Sequence, residues 1–187
     1  MKPPSAQREA AREAPTVAAS RRRGAWFIAV FLGVIGAFYV FSQFGVFQSV
    51  IAPGSMRLSA LSAAPFIRLL GDPVDVNGTM LVSPRGRVEV QYGCDALEPI
   101  VYFIAAVLAF PATWRGRLFG IAVGVPALFA LNIVRIASLY FIATRRADWF
   151  DVAHRDLWQP IFIAATLALW MAWAMLHSGA RAARPAP

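Results

Sequence analysis

Four long apolar stretches limit what this chain can fold into more than any other feature. Residues 24–47 carry no charge, residues 118–143 are interrupted only by Arg135, and residues 157–176 again carry none. Residues 99–112 are shorter, but can be extended back through Ala96 and Leu97 to begin near Asp95. A bilayer core of ~30 Å takes ~20 helical residues. The sequence therefore predicts an all-α polytopic membrane protein with about four transmembrane helices. Hydrophobic residues are 58% of the chain and charged ones 15%, which excludes an ordinary soluble domain.

Lys and Arg give the expected orientation. With the N-terminus in the cytoplasm, Lys2, Arg8, Arg12, Arg21, Arg22, Arg23, Arg115, Arg117, Arg181 and Arg184 share one side, opposed only by Glu9 and Glu13. Acidic and basic residues cancel on the other side, so the whole formal charge of +8 belongs to one face. By the positive-inside rule both termini are cytoplasmic. That charge flanks apolar spans and suits anionic headgroups, so the lipid bilayer is the expected partner and nucleic acid is not. Arg21, Arg22 and Arg23 before an apolar run resemble a secretory signal, but the run exceeds the ~7–15 residues of one. Pro53 also follows the only small-residue cleavage point, so a retained anchor is expected. Residues 1–23 read as a basic disordered tail and residues 177–187 as a second cytoplasmic tail.

Residues 48–93 form the one sizeable extracytoplasmic segment. Within it, Leu58, Leu61, Ala64 and Leu69 recur at helical spacing, which predicts a short interfacial helix over 56–70. Val74–Val76, Gly78–Val82 and Arg87–Val90 are β-rich, with turn chemistry at Asn77-Gly78 and Pro84-Arg85-Gly86. A small β-hairpin is expected there, delivering the chain to Tyr92-Gly93-Cys94, where Gly93 permits a sharp turn. Pro126 should kink the third span, whose freed carbonyl neighbouring helices can satisfy.

The chemistry-bearing residues converge at one depth. Arg135 lies 17 residues into the third span, about 26 Å from its cytoplasmic end, and an intramembrane arginine is read as functional. Asn132, one turn earlier, shares its face. Cys94, the only cysteine, opens the second span at the same outer level, with Asp95 next and Glu98 one turn below. Its position at a helix N-terminus beside a cation predicts a lowered thiol pKa. His154 precedes the fourth span on the same side, while His177 falls at the opposite end as a bystander. Together they make a cysteine nucleophile site: Cys94 attacks a carbonyl, His154 moves the proton, and Arg135 stabilises the oxyanion. Gly93, Asn132 and Glu98 support it. One Cys, one His and a carboxylate are too few for a sound metal site, and no cofactor motif occurs. A lone cysteine also serves a thiol oxidoreductase poorly. The rival is a non-enzymatic assembly or scaffold subunit in which Arg135 pairs with Glu98 or Asp95 to hold helices together.

These residues resemble the exosortase/archaeosortase family of membrane cysteine transpeptidases, which carry a Cys–Arg–His triad in this order. The resemblance rests on Gly93-Cys94 at the mouth of a span, Asn132-Ile133-Val134-Arg135 in the next, and His154 before the last. Phe110-Pro111-Ala112-Thr113-Trp114-Arg115 and Leu157-Trp158-Gln159 look most like the exosortase H subgroup. The chain departs from the pattern at Ala96, where a glycine is expected, and at Asp95, where a small polar residue is expected. The resemblance implies an enzyme of the bacterial inner membrane with its active site facing the periplasm. Its substrates would be secreted proteins with a C-terminal sorting signal: a short motif, a transmembrane helix and a basic end. It would cleave them through a thioester.

Overall fold

A computed structural model describes residues 5–178, with side chains for residues 20–177. Five helices carry the architecture: α1 (Ser5–Ser42), α2 (Ala52–Leu69), α3 (Leu97–Ala109), α4 (Trp114–Arg145) and α5 (Trp158–Ser178). A π-helical segment, Phe47–Ile51, leads into α2, and a second, Val152–Leu157, leads into α5. Among the described residues, four helical segments are long and apolar enough to cross a membrane: Ser20–Ser42, Phe47–Leu69, Trp114–Arg145 and Ala147–His177. The chain is a multi-pass membrane protein.

The expected second span is helical for only 13 residues, Leu97–Ala109, or about 20 Å. Pro111 stops the helix, and Phe110 is already extended. The segment nonetheless covers the height of its neighbours. Cys94 at its start meets Arg135, while the Phe110 carbonyl at its end accepts from Arg117 Nη2 at 3.1 Å. Those two arginines are 18 residues apart on α4, about 27 Å. Helix α4 runs unbroken through Pro126.

Close packing of α3, α4 and α5 depends on Gly116, Gly120 and Gly124, one turn apart on α4. A Cβ on Gly116 would stand 2.6 Å from His177 Cδ2, and Cβ atoms on Gly120 and Gly124 would run into the Trp173 and Phe103 rings. Without them, the Trp173 indole lies against α4 and donates to the Gly116 carbonyl at 3.0 Å. Small residues of this kind let apolar helices approach where the hydrophobic effect offers no drive. His177 stacks on Trp173 at this end, remote from Cys94.

Two expectations for residues 48–93 are corrected. The helix begins earlier than 56–70, at Ala52, and besides the outward leucines of an interfacial helix it has a second face that packs on the bundle. Leu58, Leu61 and Leu69 are exposed, while Ser59, Ala60, Ala63, Ala64 and Ile67 pack against Ile136, Ala137 and Tyr140 of α4. Small residues win this interface because they let the two helices come close. The β-structure is a three-stranded antiparallel sheet in the order β1-β2-β3, not a two-stranded hairpin: β1 (Asp75–Asn77), β2 (Met80–Ser83) and β3 (Gly86–Glu89). Both turn signals close tight two-residue connections, so each joins a pair of strands. One face of the sheet, through Val74, Leu81, Val88 and Val90, closes the core made by α2 and α4. This packing sets α2 against residues 133–141 of α4, the stretch that contains Arg135 and lies far along the helix from Gly116.

A third correction concerns the N-terminal tail, which is helical backbone from Ser5 and continuous with α1. Its Ala, Glu, Gln and Arg content gives it high helix propensity despite its charge. Residues 1–4 and the C-terminal tail from residue 179 onward lie outside the described residues.

Candidate active site

The turn between β3 and α3 sets the geometry. Gly93 has φ +87°, and Cys94 N–H donates to the Gln91 carbonyl at 3.0 Å, which reverses the chain into the bundle. Ala96, at φ 62°, is the only non-glycine residue with positive φ among the described ones, and it is fully buried. It occupies the position where the family resemblance implies a glycine. The left-handed conformation is the physical reason a glycine suits that position.

Asp95 is drawn away from the thiol. Its carboxylate accepts from the Ser55 hydroxyl on α2 and, at 3.4 Å, from Leu97 N–H at the start of α3. Ser59, one turn along α2, donates to the Asp95 carbonyl at 3.4 Å. These two serines anchor the turn, and sequence reasoning missed them. Their spacing of four on a small-residue helix face was the available signal.

Five of the six residues singled out from the sequence come together. Cys94 Sγ lies 3.1 Å from His154 Nε2 and 3.9 Å from Arg135 Nη2. Arg135 Nη1 reaches the Gly93 carbonyl at 3.5 Å, and Asn132 Nδ2 donates to the Cys94 carbonyl at 3.0 Å. Asn132 and Arg135 thus hold successive carbonyls of the turn from one face of α4. His154 sits in the π-helical segment before α5, with its ring stacked on Phe150 at 5.7 Å. Wide turns of this kind re-aim a side chain without breaking the helix. Glu98 is not drawn in; it makes no hydrogen bond or ion pair among the described residues.

Arg135 is only 2% exposed, yet no carboxylate answers it. The ion pairs among the described residues are Arg68–Asp75, Arg85–Asp72 and Arg155–Asp151. The helix-locking pair with Glu98 or Asp95 that a scaffold role requires is absent. Instead the guanidinium lies over the Phe162 ring at 5.4 Å and faces the sulfur, with Nε unpartnered. An isolated buried cation is costly, so a negative charge forming beside this one would be strongly stabilised.

The expected lowering of the thiol pKa does not hold. Burial pushes the Cys94 thiol above its ordinary value, Arg135 pulls it back in part, and Asp95 pushes it up again. The sulfur also precedes the first turn of α3 rather than capping it, so the helix dipole acts weakly there. The shift favours the thiol form, and His154 Nε2 stands 3.1 Å from the sulfur.

An open cleft of about 630 Å³ leads to this centre. Arg87, Val88, Glu89 and Gln91 line it together with Ala143, Ala147, Phe150 and Asp151, and Cys94 and His154 both open onto it. Among the described residues no group of three or more His, Cys, Asp or Glu converges as round a metal ion.

Searches of curated proteins and of solved structures give no match. The family model for transmembrane exosortases, Exosortase_EpsH, matches residues 14–171, which takes in α2, α3 and α4 whole, most of α1 and α5, and Cys94, Arg135 and His154. A buried Arg135 without a carboxylate, a thiol beside an imidazole and an apolar bundle beneath them fit that match, and the chain belongs to the transmembrane exosortase family.

Proposed function

We propose that this protein is a membrane-embedded cysteine protease or transpeptidase that cleaves a C-terminal sorting signal from secreted proteins. One observation carries the reading: Arg135, buried and without a carboxylate, faces a sulfur that lies 3.1 Å from His154 Nε2.

The steps follow from those positions. With the His154 proton on Nδ1, Nε2 accepts the Cys94 proton as the sulfur attacks the carbonyl carbon of a peptide bond. The carbonyl π electrons move to oxygen, and Arg135 donates to the oxyanion in a site of low dielectric, where such donors act most strongly. The intermediate collapses, the C–N bond breaks, and His154 returns the proton to the leaving amine. An enzyme thioester on Cys94 remains. Water or an amine then attacks it, with His154 as base, and the thiol is released.

In this reading α1, α3, α4 and α5 span the inner membrane, both termini are cytoplasmic, and α2 with the sheet lies on the periplasmic side around Cys94. The charge asymmetry supports that orientation, because Arg115 and Arg117 lie at the opposite end of α4 from the thiol. The bilayer and the sorted proteins are the partners; nucleic acid is not.

The test is co-expression with a secreted protein from the same genome that ends in an apolar helix and a basic tail. Wild type should shorten it at the C-terminus, and Cys94→Ala should leave it intact. Normal processing by Cys94→Ala sinks the proposal. Labelling Cys94 with a membrane-impermeant maleimide on spheroplasts checks the side: protection until the membrane is opened would reverse the orientation.

A further inference from the structure

β3 is an edge strand, and its free edge forms a wall of the catalytic cleft. The sheet order leaves β3 paired on one side only, with β2. The pairing register matches Met80 with Glu89, Leu81 with Val88, Val82 with Arg87 and Ser83 with Gly86. The same register continues one pair further, where Val90 N–H donates to the Thr79 carbonyl at 3.0 Å. Hydrogen-bonded pairs alternate along an antiparallel ladder. Val90, Val88 and Gly86 therefore turn their main-chain groups towards β2, and Arg87 and Glu89 turn theirs away. Outside the sheet, no backbone hydrogen bond among the described residues uses Arg87 or Glu89.

The cleft reaches this edge, not a face. Side chains of successive strand residues point to opposite faces, and Val88 packs into the core while Arg87 and Glu89 are exposed. A cleft lined by all three consecutive residues looks along the strand edge. Beyond the strand the chain continues through Gln91 and turns at Tyr92 and Gly93 to reach the thiol. Arg87 and Cys94 are seven residues apart, so at ~3.3 Å per residue an added strand of up to seven residues is long enough to reach from one to the other.

We propose that the substrate polypeptide binds by strand addition: its extended segment pairs with the free edge of β3 at Arg87 and Glu89, and this pairing carries the scissile bond to Cys94. Unpaired edges of this kind are templates for another chain, and proteins that do not use them usually shield them. Main-chain bonds supply the hold and the register. The alternating Arg87 and Glu89 side chains flank the bound segment and favour one of opposite alternating charge. The inference rests on the proposed function, since it names how that site takes its substrate.

The test uses full-length protein in its host membrane. Polypeptides whose C-terminal processing depends on Cys94 are first identified by comparing wild-type with Cys94→Ala cells. Glu89→Pro and Arg87→Pro then each delete an outward N–H while leaving the β2–β3 ladder bonds intact, because proline is tolerated on an edge strand with its nitrogen facing out. Each should slow processing about tenfold or more, the cost of a lost hydrogen bond plus the bulk of the ring. Alkylation of Cys94 by iodoacetamide should be unchanged, showing that the catalytic turn still stands. A proline scan through the substrate's cleavage segment, which leaves the enzyme untouched, should give losses at alternate residues. Wild-type processing rates in both proline variants, or a scan without a period of two, would overturn strand addition alone. If no polypeptide's processing depends on Cys94, the proposed function falls and this inference falls with it.

Discussion

Two buried charges in this molecule are treated in opposite ways. Asp72, 1% exposed beneath the sheet, is met by Arg85 Nη1 at 2.9 Å. Arg135, 2% exposed beneath the Gly93–Ala96 turn, is met by carbonyl oxygen, sulfur and an aromatic face but by no carboxylate. The first carries its counter-ion with it, although the other carboxylate oxygen, Oδ1, finds no hydrogen-bond partner among the described residues. The second leaves a cation short of an anion, as a reaction that generates negative charge would require. On the proposed function, the difference separates a residue that holds the cap together from one that waits for chemistry, although both are buried ions within a single small protein.

Substituting each in turn gives the widest separation. Arg135→Met should lower processing of a Cys94-dependent substrate by about 10³-fold, the loss expected for an oxyanion donor. Its thermal stability in detergent should stay equal or rise, because an unanswered buried charge is removed. Arg135→Lys should also fail, since a point charge does not replace the planar fork that reaches Gly93 and the sulfur together. Arg85→Met should do the reverse. It strands Asp72 and should cost about 1–3 kcal/mol of stability, discounted because Arg85 is half exposed. The molecules that still fold should process substrate normally. A collapse of folding in Arg135→Met with activity preserved per folded molecule would erase the distinction and favour a structural role.

Only one of these two charges was legible in the sequence. Arg135 interrupts an apolar span, so its oddity is visible without a structure, and the depth argument brings Cys94 and His154 to it. Asp72 lies in a polar turn, where nothing marks it as buried; the sheet folding over it does that. The outward leucines of α2 show the limit of helical spacing for a related reason. Helical spacing of Leu58, Leu61 and Leu69 shows an apolar face but not which neighbour it meets. At a membrane surface the apolar face can turn to lipid while alanines take the protein contact. Asp95 and Glu98 could not be told apart from sequence either. Their separation depends on Ser55 and Ser59, forty and thirty-six residues away on another helix. The direction of the thiol shift was missed because burial outweighs the nearby cation, and burial is a property of the whole fold.

The thiol itself sharpens the contrast on a smaller scale. Burial raises its pKa and Arg135 lowers it, so the cation already acts on the sulfur before any substrate arrives. A raised pKa means less thiolate at neutral pH. Alkylation of Cys94 should therefore climb roughly tenfold per pH unit through pH 7 and 8, levelling only above the range of a free thiol. In Arg135→Met the curve should move to still higher pH, since the lowering contribution is gone. In Arg85→Met it should not move. A Cys94 that is fully reactive at pH 7, or a curve indifferent to Arg135, would show that the guanidinium does not act on the sulfur.

The smallest effect tests what brings the turn to the lone cation. Arg135 and Asn132 can take the Gly93 and Cys94 carbonyls only because the chain reverses between two positive-φ residues, Gly93 and Ala96. Alanine in the left-handed region costs about 1–2 kcal/mol. Ala96→Gly relieves that strain but gives up the burial of a methyl group, about 0.8 kcal/mol, and adds backbone freedom to the unfolded chain. These contributions oppose one another, so stability should change by less than about 1 kcal/mol, measured as the denaturation midpoint in detergent. Ala96→Val carries the strain of a β-branched residue at positive φ into a fully buried position. It should lose about 2 kcal/mol or more and should pull the carbonyls away from Arg135, so that substrate processing falls with stability. Should Ala96→Val prove as stable and active as Ala96→Gly, the turn is not what aims its carbonyls at the cation. Arg135 would then have to be positioned from α4 and Phe162 alone.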